Sequence, residues 1–221
     1  VIIPTLNEGA ILGHTLERLP LGPTLEVIVA DGGSTDETCA IAKRRGAQVV
    51  VATGGRGGQL NQGAAVAQGE ILLFLHADTQ LPPNFEPLVR QTLAQPGVVA
   101  GAFDLSIDGP GWGLRWVEWG VKWRSRWLHL PYGDQALFLT ADRFHRMGEF
   151  AKLPIMEDFD LVQRLNRQGR LAMVPVPVLT SSRRWQRLGV WRTTLANQVM
   201  VVGYCLGLDV QHLAHWYRRL G

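Results

Sequence analysis

Four short apolar runs, each closed by a polar or glycine-rich segment, set the frame for residues 1–78. The runs are residues 1–3, 26–30, 47–52 and 70–75, and the fourth is the most apolar. Between them lie stretches of helical spacing. Ile11, Leu12, Leu16 and Leu19 follow Asn7, which can cap a helix. Ser34 or Thr35 can cap the next, with Glu37 in its first turn. Leu60, Ala64 and Ala67 mark a third, after the turn Gly54-Gly55-Arg56-Gly57-Gly58. Continuous apolar strands alternating with helices predict an α/β fold, a mostly parallel sheet flanked by helices and buried on both faces. Ligands of such sheets bind beyond the carboxyl ends of the strands. All four ends are polar or glycine-rich here: residues 4–8, 31–36, 54–58 and 76–78.

Several ligand classes are disfavoured by what stands at those ends. The first strand is followed by Pro4-Thr5-Leu6-Asn7-Glu8, where a dinucleotide fold would place Gly-x-Gly-x-x-Gly, and no Gly-Lys-Ser/Thr phosphate loop occurs. A glycine-rich turn carrying Arg56 can still approach a diphosphate, or can be a plain surface turn. Net charge is only +3 and the cations form no interleaved aromatic platform outside one helix, so no nucleic-acid partner is expected. Cys39 and Cys205 lack metal spacing, and a reducing, cytoplasmic setting is expected. The chain opens on Val1-Ile2-Ile3, inside a strand-like run, so residues are expected to be missing upstream and no targeting signal is read from it.

The second half carries a strand at residues 98–107, a break at Gly109-Pro110-Gly111, and then an aromatic helix. Trp112, Trp116, Trp119, Trp123 and Trp127 recur at helical spacing on one face, with Arg115, Lys122, Arg124 and Arg126 elsewhere around it. Core packing is the first expectation for that face. A membrane surface, reached by a protein peripheral on the inner face of the plasma membrane, an acceptor wall and a subunit contact of a homo-oligomer are the others. A strand at 136–139 follows Gly133-Asp134-Gln135, and a short strand at 169–174 is expected to stop before Pro175 and Pro177. From Thr180 on, six arginines face one acid, Asp209, and residues 190–208 read as a helix too short and glycine-interrupted to span a bilayer. Pro154-Ile155-Met156-Glu157-Asp158-Phe159-Asp160 opens another helix, with three acids in the first turn, where the dipole favours negative charge.

Five segments in order then resemble the family 2 glycosyltransferases: Pro4-Thr5-Leu6-Asn7-Glu8, Ala30-Asp31-Gly32-Gly33-Ser34-Thr35-Asp36, Arg56-Gly57-Gly58-Gln59-Leu60-Asn61, Phe74-Leu75-His76-Ala77-Asp78 and Glu157-Asp158. The resemblance runs from Val1 to about Gly169 and implies the GT-A fold, a Rossmann-like half joined to an acceptor half. It implies bounds of 1–80 for the nucleotide half, 81–180 for the acceptor half and 181–221 for a basic helical extension. It also implies transfer of a sugar from a nucleotide-sugar donor, UDP-linked, to a hydroxyl acceptor that is a small molecule or a lipid. Gly133-Asp134-Gln135 and Ser182-Arg183-Arg184-Trp185 look like a bacterial branch associated with arsenosugar biosynthesis.

By the same resemblance, Pro4, Thr5, Asn7, Glu8, Asp31, His76 and Ala77 line the nucleoside pocket, with Asp31 accepting a hydrogen bond from the base. Arg56 and Asn61 face the base or the diphosphate; Arg183 and Arg184, read from their charge and not from the resemblance, can close over the diphosphate or attract acidic headgroups. The family's Asp-x-Asp is His76-Ala77-Asp78 here, which leaves Asp78 as the ligand for Mg²⁺ or Mn²⁺. Asp158 is implied as the general base, with Glu157 positioning it or the acceptor, and Asp134 is its rival or an acceptor ligand. A sugar nucleotidyltransferase and a nucleotide-binding regulatory module without transferase activity are the alternatives.

Overall fold

The computed structural model describes residues 1–20 and 22–220. Strands β1 (Ile2–Thr5), β2 (Ile28–Asp31) and β3 (Gln48–Val51) form a parallel sheet in the order β1-β2-β3. β4 (Ile71–Leu73) continues it. A parallel bridge joins Phe74 to Ile2, and the Leu75 N–H donates to the Ile2 carbonyl at 2.9 Å. Beyond β4 the order is β4-β7-β6-β8-β5, with β5 at Thr79–Gln80, β6 at Val98–Asp108, β7 at Phe138–Thr140 and β8 at Arg170–Ser181. β6 and β8 are parallel, whereas β7 and β5 run against their neighbours.

The two-residue period of a strand sends successive side chains to opposite faces. Ile3 and Val29 join one core with Leu12 and Leu16 of α1 (Gly9–Glu17) and Ala42 of α2 (Thr38–Arg44). Ile2 and Ile28 join a second core with Leu60 of α3 (Gly55–Val66) and Leu161 of α7 (Glu157–Asn166). Neighbours in one strand are thus fully buried in different cores, and each contributes about 1.5–3 kcal/mol. α4 (Phe85–Leu93), α5 (Trp112–Trp127) and α6 (Ala141–Arg146) belong to the middle of the chain. The C-terminal helices are α8 (Arg183–Leu188), α9 (Val190–Cys205) and α10 (Val210–Leu220).

Four expectations are corrected. Asn7 does not cap α1; its side-chain oxygen accepts from the Thr35 N–H at 2.9 Å, and Asp36 instead accepts from the Gly9 N–H at 3.0 Å. Neither Ser34 nor Thr35 caps α2, since Asp36 accepts from the Thr38 N–H at 2.9 Å. β8 runs on through both prolines because its register with β6 jumps from Phe103–Val174 to Asp104–Pro177, so the irregular step takes up Pro175. The tryptophan face of α5 is not core: its five indoles are 50% to 72% exposed, while Leu114, Val121 and Ser125 on the opposite side are buried.

Candidate active site

A cleft of about 420 Å³ gathers side chains from distant segments. Asp78 follows β4, Asp134 sits in a single 3₁₀ turn (Gly133–Gln135), and Asp158 is in the first turn of α7; all three line it. Arg56, His76 and Glu157 do so as well. The far wall comes from the C-terminal helices, through Arg184, Trp185, Asn197 and Tyr217.

Arg56 organises this cleft. α3 begins at Gly55, so Arg56 sits at the positive end of a helix dipole, an unfavourable place for a cation. The acids at the start of α7 offset that: Arg56 donates to Glu157 through Nε and stands 3.2 Å from Asp158 Oδ2 through Nη2. Close packing of the turn needs glycine at 58, where a Cβ would come within 2.2 Å of the Thr53 carbonyl oxygen. Burial works against the guanidinium charge, yet the Asp158 and Glu157 carboxylates hold it protonated more firmly than usual.

Asp158 accepts further bonds from the Gly133 N–H at 2.7 Å and its neighbour Phe159 N–H at 2.8 Å. Burial would raise its pKa, but Arg56 and those two N–H groups outweigh it and hold the carboxyl below its ordinary value. Gly133 can come this close only without a side chain, since a Cβ there would lie 2.8 Å from Asp158 Oδ2. His76 Nε2 is 2.9 Å from Arg56 Nη1 and is the acceptor of that pair. Burial and the Arg56 charge push the imidazole pKa down to about 4, so the ring is neutral at pH 7.

Asp134 differs from Asp158. One of its carboxylate oxygens is buried with no hydrogen-bond partner, and burial raises its pKa against the pull of Arg124. The indole N–H of Trp185 is likewise buried and unpartnered at the cleft wall. Two orphan polar groups, one acceptor and one donor, suit a hydroxylated ligand, because leaving such groups unpaired costs about 1–3 kcal/mol each.

Asp78 faces the cleft beside Arg183, whose Nη2 lies 3.5 Å from Asp78 Oδ2 and 3.2 Å from Glu8 Oε2. Among the described residues no three His, Cys, Asp or Glu side chains cluster to hold a metal. A single carboxylate fits a hard cation that arrives with a diphosphate and keeps water in its shell, and does not fit a preformed cage.

Apart from His76, the nucleoside candidates are not part of the cleft lining. Thr5 and Asp31 are buried, and Asp31 accepts from Thr5 Oγ1, Ser34 Oγ and the Gly33 and Ser34 N–H groups. These four bonds tie the carboxylate to its own loop and fix the shape of that loop. Burial is outweighed by those bonds and the Asp31 pKa is lowered. Asn61 lies outside the cleft lining and is held within the fold: its amide bonds both backbone groups of Phe150, at 2.9 and 3.0 Å. Ala77 is buried, and its carbonyl accepts from Thr15 Oγ1 at 2.7 Å. Pro4 lines a small cavity shared with Arg56, His76 and Asp158.

Tyr132, Asn197 and Tyr217 line the cleft without having been singled out. Arg124 stacks 3.3 Å from the Tyr132 ring centre, and Arg184 stacks 4.3 Å from that of Tyr217. Asn197 accepts from the Tyr217 hydroxyl at 3.0 Å. Trp185 sits within Ser182-Arg183-Arg184-Trp185, a segment the sequence marked; nothing in the spacing of Asn197 or Tyr217 marks a ligand.

The model of the family described as Glycosyl transferase family 2 matches residues 1–152. The chain belongs to that family. An uncharacterised glycosyltransferase of Mycobacterium tuberculosis is 33% identical over 153 residues, 65% of this chain and 66% of the relative. An undecaprenyl-phosphate 4-deoxy-4-formamido-L-arabinose transferase of Pseudomonas aeruginosa is 30% identical over 145 residues, 59% of this chain and 40% of the relative. The matches therefore span two thirds or less of these curated relatives. Among solved structures, a mannosyltransferase from Pyrobaculum calidifontis in complex with GDP-Man and Mn²⁺ superposes with a TM-score of 0.67. That likeness covers 90% of this chain and 61% of the other at 20% identity, which is a likeness of fold, GT-A.

Proposed function

We propose that the chain transfers a sugar from a nucleoside diphosphate sugar, UDP-linked, to a hydroxyl acceptor with inversion at the anomeric carbon. The observation that carries this is the meeting of Asp78, Asp134 and Asp158, from three separate segments, in one cleft. Residues 1–80 serve the nucleotide, 81–180 the acceptor, and 181–221 form a helical extension that closes the cleft. Glu8, Asn7 and the loop shaped by Asp31 border the nucleoside. Arg183 and Arg184 approach the diphosphate, as planar guanidinium groups suit its oxygens. Asp78 would hold a Mg²⁺ or Mn²⁺ ion together with diphosphate oxygens and water. That ion stabilises charge on the leaving group. Asp158 takes the acceptor proton, and Glu157 fixes Arg56 beside it. A single base facing the anomeric carbon opposite the leaving group gives inversion.

A second assignment of the base rests on Asp134. A general base works best with a pKa near the operating pH, and Asp134 is raised by burial where Asp158 is lowered. Asp158→Asn and Asp134→Asn, compared by calorimetry with UDP and by turnover, separate the two. The base is the residue whose amide keeps nucleotide affinity and loses turnover. Parent-like turnover in both variants removes both carboxylates from that role.

The P. aeruginosa relative is named for undecaprenyl phosphate, which supports including phosphorylated polyprenols beside small hydroxylated molecules in an acceptor screen. The arsenosugar-associated branch rests on its two motifs, of which Asp134, Arg184 and Trp185 line the cleft.

A further inference from the structure

Outside the cleft, α5 and α9 leave a wide apolar surface uncovered. The five tryptophans of α5 fall within an arc of about 80° around the helix axis and are all exposed. α9 has the same arrangement. Trp191, Leu195, Val199, Val202 and Leu206 form one exposed stripe, while Thr193, Ala196, Met200 and Gly203 are buried on the other side. The two bands touch where the rings of Trp112 and Trp191 pack edge to face, with centroids 6.2 Å apart. α9 also presents Asn197, Met200 and Val201 to the cleft, so this surface and the candidate active site share a helix.

The margins of the surface are cationic. Arg115, Lys122 and Arg126 lie along one edge of the tryptophan band, and their partners Glu118 and Asp104 are largely buried beneath them. Three cations over two acids leave an excess of positive charge. Arg187 and Arg192 bracket Trp191 in the chain, are exposed, and have no ion pair among the described residues.

We propose that the α5–α9 face docks on an anionic lipid bilayer, with its indoles at headgroup depth. Trp is suited to that depth because its ring is apolar and its N–H is polar, and cations at the margin are drawn to acidic headgroups. No described helix is long and apolar enough to cross a membrane, so the seat is at the surface. A second copy of the chain is less well matched, since it would bring the same excess of positive charge to the contact, whereas acidic headgroups neutralise it. Docking stands apart from the transfer reading, and each can fail without the other.

Sedimentation of the full chain with phosphatidylcholine vesicles, and with vesicles containing phosphatidylglycerol, tests this at low and high salt. Binding is expected to the anionic vesicles and to weaken with salt. It should fall about fivefold for each of Arg187→Gln and Arg192→Gln, and about tenfold or more for the double variant Trp116→Ser, Trp119→Ser. Donor hydrolysis in solution should be unchanged in all of them. Absence of binding to both vesicle types overturns the proposal, as does binding indifferent to the tryptophans. A dimer that dissociates on tryptophan replacement, without vesicle binding, assigns the face to a second copy and overturns it equally.

Discussion

Arg56 Nη2 and Asp158 Oδ2 stand 3.2 Å apart, joining the first turn of α3 to the first turn of α7 across the floor of the cleft. Glu157, 2% exposed, shares the same guanidinium. Two helix N-termini face one another here, and the acids of one neutralise the cation of the other.

Replacing Arg56 by Ala leaves Glu157 buried without its cation. The expected loss is about 2 kcal/mol, tempered because the guanidinium is 36% exposed. A thermal midpoint lower by roughly 4–8 °C in calorimetry follows for a chain of this size. An unchanged midpoint would mean that the pair holds nothing together.

Gly133→Ala places a methyl group 2.8 Å from Asp158 Oδ2 and disrupts the N–H bond that aims the carboxylate. Turnover should drop about tenfold to a hundredfold while the fold is kept. Steady-state kinetics beside a circular-dichroism melt would check it; parent-like turnover would detach Gly133 from the chemistry.

The acid limb of the kcat/KM profile distinguishes the two candidate bases. A carboxyl with a lowered pKa stays ionised until the pH falls below its ordinary range, so with Asp158 as the base the rate holds through mildly acid conditions. A raised pKa moves that limb above the ordinary carboxylate range, the result expected for Asp134. The same linkage makes the Asp158 interactions stabilising above the unfolded pKa, an effect lost only as pH drops through the lower folded value.

Asp78→Ala should abolish any rise in nucleotide affinity brought by Mn²⁺ and leave metal-free binding nearly intact. Calorimetry with UDP, with and without the ion, reads this directly. Metal enhancement surviving in the variant would move the cation to other ligands.

The parallel sheet was legible because β1 and β2 are apolar on both faces and buried there, whereas the edge strand β3 reads the same way although its Val51 is 74% exposed. Asp78 and Asp158 were legible as partners through the order of the motifs. The pairings were not: Arg56 meets Glu157 across 101 positions, and no local pattern encodes that distance. Asn61 and Asp31 carry the residue types of ligand contacts, yet their hydrogen bonds are used inside the fold. The tryptophan face of α5 illustrates a limit of periodicity, which identifies a shared side of a helix without saying what lies against it.

Release of nucleoside diphosphate from a panel of UDP- and GDP-sugars, followed with Mn²⁺ for the parent, Asp78→Ala, Asp134→Asn and Asp158→Asn, bears most directly on the cleft as a glycosyl-transfer site. The account predicts one donor turned over by the parent, with release lost on replacing Asp78 and on replacing one of the other two carboxylates. A parent that releases nothing from any donor, or three variants releasing at the parent rate, would contradict it.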